Sequence, residues 1–198
     1  HRNIDPYYTF PAVRAIKNLV RDLPLRTSAL RCLGGYANIF ALESMMDELA
    51  RHIDADPVTF RLRHLDDPRA CEVIEVAADG IGWSKDRDDG VGHGIAFSRY
   101  CNSKTYTAIA IELKVNDAAE IEIRKAVCAA DAGEVVDAAG LSMQLEGGVL
   151  QAISWTLYEE VLFDQDGITS RDWEAYPILT FKQAPPVDVV IIDRPGEP

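Results

Sequence analysis

The chain has 198 residues, 20 Lys and Arg against 32 Asp and Glu, and a formal net charge of −12. That length can bury a real core in one large or two small domains, and an acidic surface repels phosphate backbones, which argues against general nucleic-acid binding. No apolar run approaches the roughly 20 residues of a membrane span, and no basic-then-apolar leader opens the sequence.

Residues 1–30 are aromatic and irregular at first (Tyr7, Tyr8, Phe10) and then partly amphipathic. Gly34-Gly35 permits close backbone approach or positive φ, and a helix is predicted to follow over 39–53. There Leu42, Met46, Leu49 and Ile53 recur at helical spacing. The acids Glu43, Asp47 and Glu48 on it read as a partly solvated face. Asp56-Pro57 and Asp67-Pro68 each pair an N-cap with proline at the first helical position. They predict helices near 57–65 and 68–79, the second stopped by Gly80.

Residues 84–90 form a charged loop, and from Gly92 the pattern turns strand-like. Alternation over Ile109–Val115 and a second run over Ile121–Val127, joined by Asn116-Asp117, predict a hairpin. Leu141, Leu145, Gly148, Ala152 and Trp155 mark a long helix, in which Gly147-Gly148 suggests a tight approach by another element or a ligand. A strand over Tyr158–Phe163, a turn over Asp164–Gly167 and a last strand over Val187–Ile192 complete the reading. The fold class is α+β: a helical N-terminal half, then a mixed or antiparallel sheet packed with a long helix. The division falls into 1–83, a helical segment with a pocket loop, and 84–198, a sheet-plus-helix segment.

Local motifs carry little chemistry. Cys32, Cys71, Cys101 and Cys128 show no CxxC spacing and read as buried or half-buried thiols. His1, His52, His64 and His93 lack metal-ligand spacing. Gly90-Val-Gly-His-Gly94 lacks the strand–turn–helix setting of a phosphate cradle and reads as a loop entering a strand. Ser142 and Ser154 sit on a predicted helix, not on a nucleophile elbow.

Four stretches in order say more. They are Pro24 to Ala50, containing Arg31-Cys-Leu-Gly-Gly-Tyr-Ala-Asn38; Asp56 to Leu65; Asp131-Ala-Gly-Glu-Val-Val-Asp137 leading to Gln144-Leu-Glu-Gly-Gly148; and Arg171 to Leu179, with Pro185 to Val190 behind it. Together they resemble the C-terminal part of the molybdenum-cofactor-binding large subunit of the xanthine dehydrogenase and aldehyde oxidase superfamily. The resemblance is to the bacterial branch that includes isoquinoline 1-oxidoreductase and nicotinate dehydrogenase large subunits. The chain begins at His1 and both ends read as cut, so the expectation is a fragment of a larger protein.

The resemblance implies a molybdenum cofactor, molybdopterin or its cytosine dinucleotide, held by a pterin dithiolene rather than by protein side chains, with none expected on this chain alone. It implies hydroxylation of an N-heteroaromatic or aldehyde substrate with water as oxygen source, a glutamate as general base, and electrons leaving through an iron–sulfur small subunit. Arg31, Gly34 and Gly35 map to the loop lining the molybdenum pocket, and Leu33 to the substrate-facing position where purine oxidisers carry an aromatic. Gln144 maps to the glutamine that hydrogen-bonds the cofactor. A plain turn for the glycines and a half-buried helix glutamine are the bland alternatives. The catalytic glutamate of the family sits in Gly-x-Gly-Glu after the last strand. Glu197 comes only five residues after Ile192, so the base is expected beyond Pro198 and no catalytic residue is assigned. Partners implied are the rest of the large subunit and the small subunit, with a homo-oligomer open and a bacterial cytoplasm or periplasm as compartment. The rival reading is an interaction or scaffold domain that keeps the fold without the chemistry.

Overall fold

The computed structural model describes residues 2–83 and 88–197. Three helices come first: α1 (Gly34–His52), α2 (Pro57–Leu62) and α3 (Pro68–Ile81). Strands β1 (Val91–Arg99), β2 (Tyr106–Val115) and β3 (Ile121–Asp131) follow, then α4 (Ala138–Leu157). A two-residue hairpin of β4 (Phe163–Asp164) and β5 (Gly167–Ile168) precedes β6 (Val187–Ile191). The sheet order is β1-β2-β3-β6, antiparallel except for β6, which runs parallel to β3. The class is α+β with a mixed sheet, as the sequence predicts.

The proline-led helices form for the reasons read from sequence. The Asp56 carboxylate accepts from the Thr59 amide at 2.8 Å, and Asp67 accepts from the Arg69 amide at 3.0 Å. Asn116 closes the β2–β3 turn by accepting from the amides of Ala118 and Glu120.

Several boundaries differ from expectation. α1 begins at Gly34, five residues early, because glycine's low helix propensity hides a first turn that tertiary packing stabilises. α2 ends at Leu62, with Arg63 as its C-cap. α3 runs past Gly80 and ends at Gly82, the residue in the left-handed conformation (φ 74°). Gly80 is instead a contact point: a Cβ there would lie 2.8 Å from Val127 Cγ1. The strand expected over 158–163 shrinks to Phe163–Asp164. The amides of Tyr158 and Glu159 still donate to the Ser154 carbonyl as α4 unwinds, and only a two-residue partner strand exists. Residues 84–87 of the charged loop lie outside the described residues; Gly90 is a turn residue that leads into β1, which holds Gly92 and Gly94.

The helices use the two sheet faces differently. α3 packs Val73, Ile74 and Ala77 against Ala108, Ala110, Val127 and Ala129. α4 packs Val149 and Ile153 on Ala126 and Cys128 from the other side. β3 is therefore buried on both faces from Ala126 to Asp131, and small residues on it let both helices approach. The larger of these two cores joins residues from before and after position 84.

α1 runs beside β1, the sheet edge, and Glu43 fastens it there. Glu43 was expected to be solvated; it is 5% exposed. It accepts from Arg61 Nε (2.9 Å), the Tyr8 hydroxyl (2.9 Å) and the Phe97 amide (2.8 Å). Burial pushes the Glu43 carboxyl above its usual range, against the opposing pull of Arg61. Since these three partners all donate, the carboxylate is the form the site satisfies. Asp47 adds a second contact to Arg61 at 2.7 Å, and Glu48 alone of the three acids is exposed.

Candidate functional site

Between α1 and α4, over the β1–β2 face of the sheet, lies a cavity of about 410 Å³. Ile39, Phe40, Ile109 and Val149 line it with the rings of Tyr36, Tyr100 and Trp155. Tyr36 and Trp155 meet edge-to-face, centroids 5.3 Å apart, across the two helices. Such a pair prefers this geometry and holds an apolar wall without filling the space. The wall is mostly apolar, and its polar groups converge at one end.

That end is made by Arg31 and α4. Arg31 Nη1 donates to Gln151 Oε1 at 3.1 Å, and Nη2 donates to the Gln144 carbonyl at 3.3 Å and to Gln144 Oε1 at 3.5 Å. Gln144, Gly148, Gln151 and Trp155 lie at i, i+4, i+7 and i+11, one face of a helix. A Cβ at Gly148 would come 3.7 Å from Arg31 Nη2, so the glycine leaves the guanidinium room to lie along the helix.

The approach to α1 is strained. Cys32 (φ 69°) and Leu33 (φ 54°, ψ −133°) both hold positive φ without being glycine, a conformation that costs on the order of 1–3 kcal/mol per residue. Leu33 is the N-cap of α1 and supplies no side-chain cap. Gly35 is buried, and a Cβ there would lie 3.3 Å from Asn3 Oδ1 and 3.5 Å from the Tyr100 ring. Asn3 in turn donates to the Arg99 carbonyl and accepts from the Cys101 amide. The strained loop is thus held by the end of β1.

The structure brings together Arg31, Gln144 and Gly148, and sets Gly35 on the same cavity wall. Gly34 starts α1 beside them. Leu33 is 43% exposed and is not among the cavity's lining residues. Glu197 lies elsewhere, 3.8 Å from Arg69, in a cluster around the buried Asp131. Burial raises the Asp131 carboxyl, but hydrogen bonds from Arg69, the Gly133 amide and Arg194 outweigh it and hold it at about 2. Cys32 is exposed, against expectation, because the strained loop carries it outward; Cys128 fits its buried place on β3. Among the described residues, no three His, Cys, Asp or Glu side chains group as a metal site, and no helix is long and apolar enough to cross a membrane.

Gln151, Tyr36 and Tyr100 were not singled out from sequence. Gln151 had a signal, its seven-residue spacing from Gln144. Tyr36 had one, its place in the Arg31–Asn38 stretch; Tyr100 had none, since only the fold brings it there.

The donor set suits an anionic, oxygen-rich group. Arg31 is a permanent cation with a further N–H at Nε. The Gln144 amide nitrogen makes no hydrogen bond to a described residue. The uncapped N-terminus of a 19-residue helix adds a positive pole. These groups fit a cofactor bearing oxo and phosphate oxygens.

Two family models, each described as a molybdopterin cofactor-binding domain, match residues 36–185 and 1–65. A nicotinate dehydrogenase subunit of Pseudomonas putida is 34% identical over 98% of this chain and 18% of its own length. An isoquinoline 1-oxidoreductase subunit of Brevundimonas diminuta is 32% identical over 78% of this chain and 20% of its own length. The chain thus spans about a fifth of these two relatives. Quinoline 2-oxidoreductase from Pseudomonas putida 86 superposes with a TM-score of 0.44 at 21% identity, over 46% of this chain and 12% of that one. The chain belongs to the molybdopterin cofactor-binding domain family, that of the molybdenum hydroxylases.

Proposed function

We propose that this chain forms one wall of the cofactor and substrate site of a molybdenum-dependent oxidoreductase that hydroxylates an N-heteroaromatic or aldehyde substrate. The observation that carries the reading is the Arg31–Gln144 contact at the polar end of an otherwise apolar cavity. When bound, the molybdenum cofactor supplies the two-electron oxidation, with water as the source of oxygen. Arg31 balances the cofactor's negative charge from a position fixed by the Gln144 carbonyl and Gln151. Gln144 donates from its amide nitrogen while its oxygen faces Arg31. Gly34 and Gly35 keep side-chain bulk off the start of α1. The rings of Tyr36, Phe40 and Trp155 favour a flat apolar substrate over a charged one. Leu33, in the same loop, does not line this cavity and takes no part in the choice of substrate. The proton acceptor is assigned to no residue of this chain, since Glu197 pairs with Arg69. Electrons leave through an iron–sulfur partner protein.

The test uses the complete enzyme. Gln144→Ala and Arg31→Met should each lower bound molybdenum or turnover by about 10- to 100-fold, the scale seen when groups around a bound metal are removed. Full molybdenum content with unchanged rates would remove both residues from the site.

A further inference from the structure

Backbone strain is concentrated at one end of the cavity. Among the described residues, seven other than glycine hold positive φ. Five of them, Asn3, Cys32, Leu33, Cys101 and Asn102, belong to three segments that meet where α1 begins. Asparagine takes this conformation readily, but cysteine and leucine do not. Such strain persists only where the surroundings over-determine it, and it gathers at sites that bind or react.

Asn3 supplies that constraint on the 99–102 turn. It is 7% exposed, and both its amide hydrogens and its oxygen are engaged. Nδ2 donates to the Arg99 carbonyl at 2.8 Å and to Asn102 Oδ1 at 2.9 Å, while Oδ1 accepts from the Cys101 amide at 3.0 Å. The same oxygen faces α1, 3.3 Å from where a Gly35 Cβ would lie, and the Tyr100 ring is 3.5 Å from that point. Arg2 works alongside. Its Nη1 donates to the Tyr100 hydroxyl at 2.8 Å, and its carbonyl accepts from Asn38 of α1 at 2.7 Å. Residues 2 and 3 thus tie the 99–102 turn to α1, and Tyr100 is the one cavity ring on that turn.

We propose that Asn3 is a positioning residue for substrate: by filling the gap between the first turn of α1 and the 99–102 turn, it holds the Tyr100 ring at the cavity wall. The inference rests on the reading of the cavity as a substrate site. Asn3 bonds to backbone and to Asn102, so it reaches substrate only through Tyr100. Without it the Cys101–Asn102 turn is free to relax its φ, and the ring moves with the turn. A wall ring contacts substrate before and during reaction alike, so the effect falls on KM and not on kcat. Arg31 and Gln144 take no bond from Asn3, so bound molybdenum stays unchanged.

The complete enzyme provides the test, with isoquinoline, quinoline and benzaldehyde as probe substrates. Asn3→Gly keeps φ near 55° without cost, so only the side chain is lost. KM should rise about 10- to 100-fold, the scale of an ångström-sized misplacement, with kcat and molybdenum content unchanged. Exchange of the Cys101 amide should quicken with or without substrate, because its acceptor is gone. In Tyr100→Ala, which has already lost the ring, adding Asn3→Gly should raise KM no further. Asn3→Asp keeps an oxygen for the Cys101 amide. Its KM should fall between those of the parent and Asn3→Gly, and it carries the test if Asn3→Gly does not fold.

A raised KM in Tyr100→Ala beside the parent's KM in the Asn3 variants would overturn the inference and leave the substrate reading standing. Additive rises in the double variant would do the same, by showing that Asn3 acts elsewhere. An unchanged Cys101 exchange rate would overturn it as well. Tyr100→Ala with the parent's KM, or a parent enzyme that oxidises none of the probes, would count against the substrate reading and overturn this inference with it.

Discussion

Glu43→Leu removes the carboxylate that Arg61 faces in the interior. The Arg61 side chain is 0% exposed and the Glu43 side chain 6%. Leucine leaves the guanidinium with Asp47, whose side chain is 41% exposed, and with the carbonyls of Pro57 and Glu43. It also strips the acceptor from the Tyr8 hydroxyl and the Phe97 amide. Breaking a buried ion pair by removing one partner costs about 3–5 kcal/mol. For a chain of this size each kcal/mol corresponds to roughly 2–4 °C, so Tm should fall by about 6–20 °C. Glu43→Gln keeps the shape and should cost less, about 1.5–3 kcal/mol, the scale of a charge-assisted hydrogen bond. Adding Arg61→Met to Glu43→Leu removes the stranded charge and should recover part of the loss. Denaturant midpoints and thermal scans of the four proteins form the assay. If Glu43→Leu stays within about 1 kcal/mol of the parent, the value set for removing one buried partner is refuted for this pair. The same holds if the double variant is no more stable than the single one.

Gly80→Ala should destabilise by about 1–3 kcal/mol through overpacking, since its Cβ would fall 2.8 Å from Val127. Val127→Ala in the same chain should relieve that clash, and urea midpoints of the single and double variants check it. Asp131 is held at about 2, below its ordinary 3.8; a depressed carboxylate stabilises above about pH 4 and loses that stabilisation as pH falls through its folded value. The urea midpoint should therefore drop between pH 4 and 2, and Asp131→Asn should flatten that drop while lowering stability above it. Burial raises the Cys128 thiol to about 11, so a thiol reagent at pH 8 should label exposed Cys32 at least about ten-fold faster than Cys128; mass spectrometry of timed digests reads this directly.

What the sequence shows and what it hides follow from interaction range. The caps of α2 and α3 were legible because Asp56 and Asp67 act on amides two or three residues away. The β2–β3 turn was legible for the same reason, through Asn116. Glu43 was misread as solvated because its partners lie 18 and 54 residues downstream; helical spacing shows which face an acid shares, not what that face meets. Gly80 and Gly82 look alike in sequence. Only the proximity of Val127 separates the contact glycine from the cap. At the candidate site, Arg31 and Gln144 stand 113 residues apart. No periodicity connects them, and it was the likeness of whole stretches to a known family that put both in one pocket. Tyr36 lies in the same stretch as Arg31 and shares that marker; Tyr100 has none, and its place in the cavity comes from the fold alone.

The most direct measurement is an anomalous difference map at the molybdenum edge from crystals of the complete enzyme. A cofactor is expected at the polar end of the α1–α4 cavity, within hydrogen-bonding reach of Gln144 or Arg31. A fully occupied cofactor bound elsewhere, with the Arg31–Gln144 contact intact and facing only protein, would contradict the proposed site.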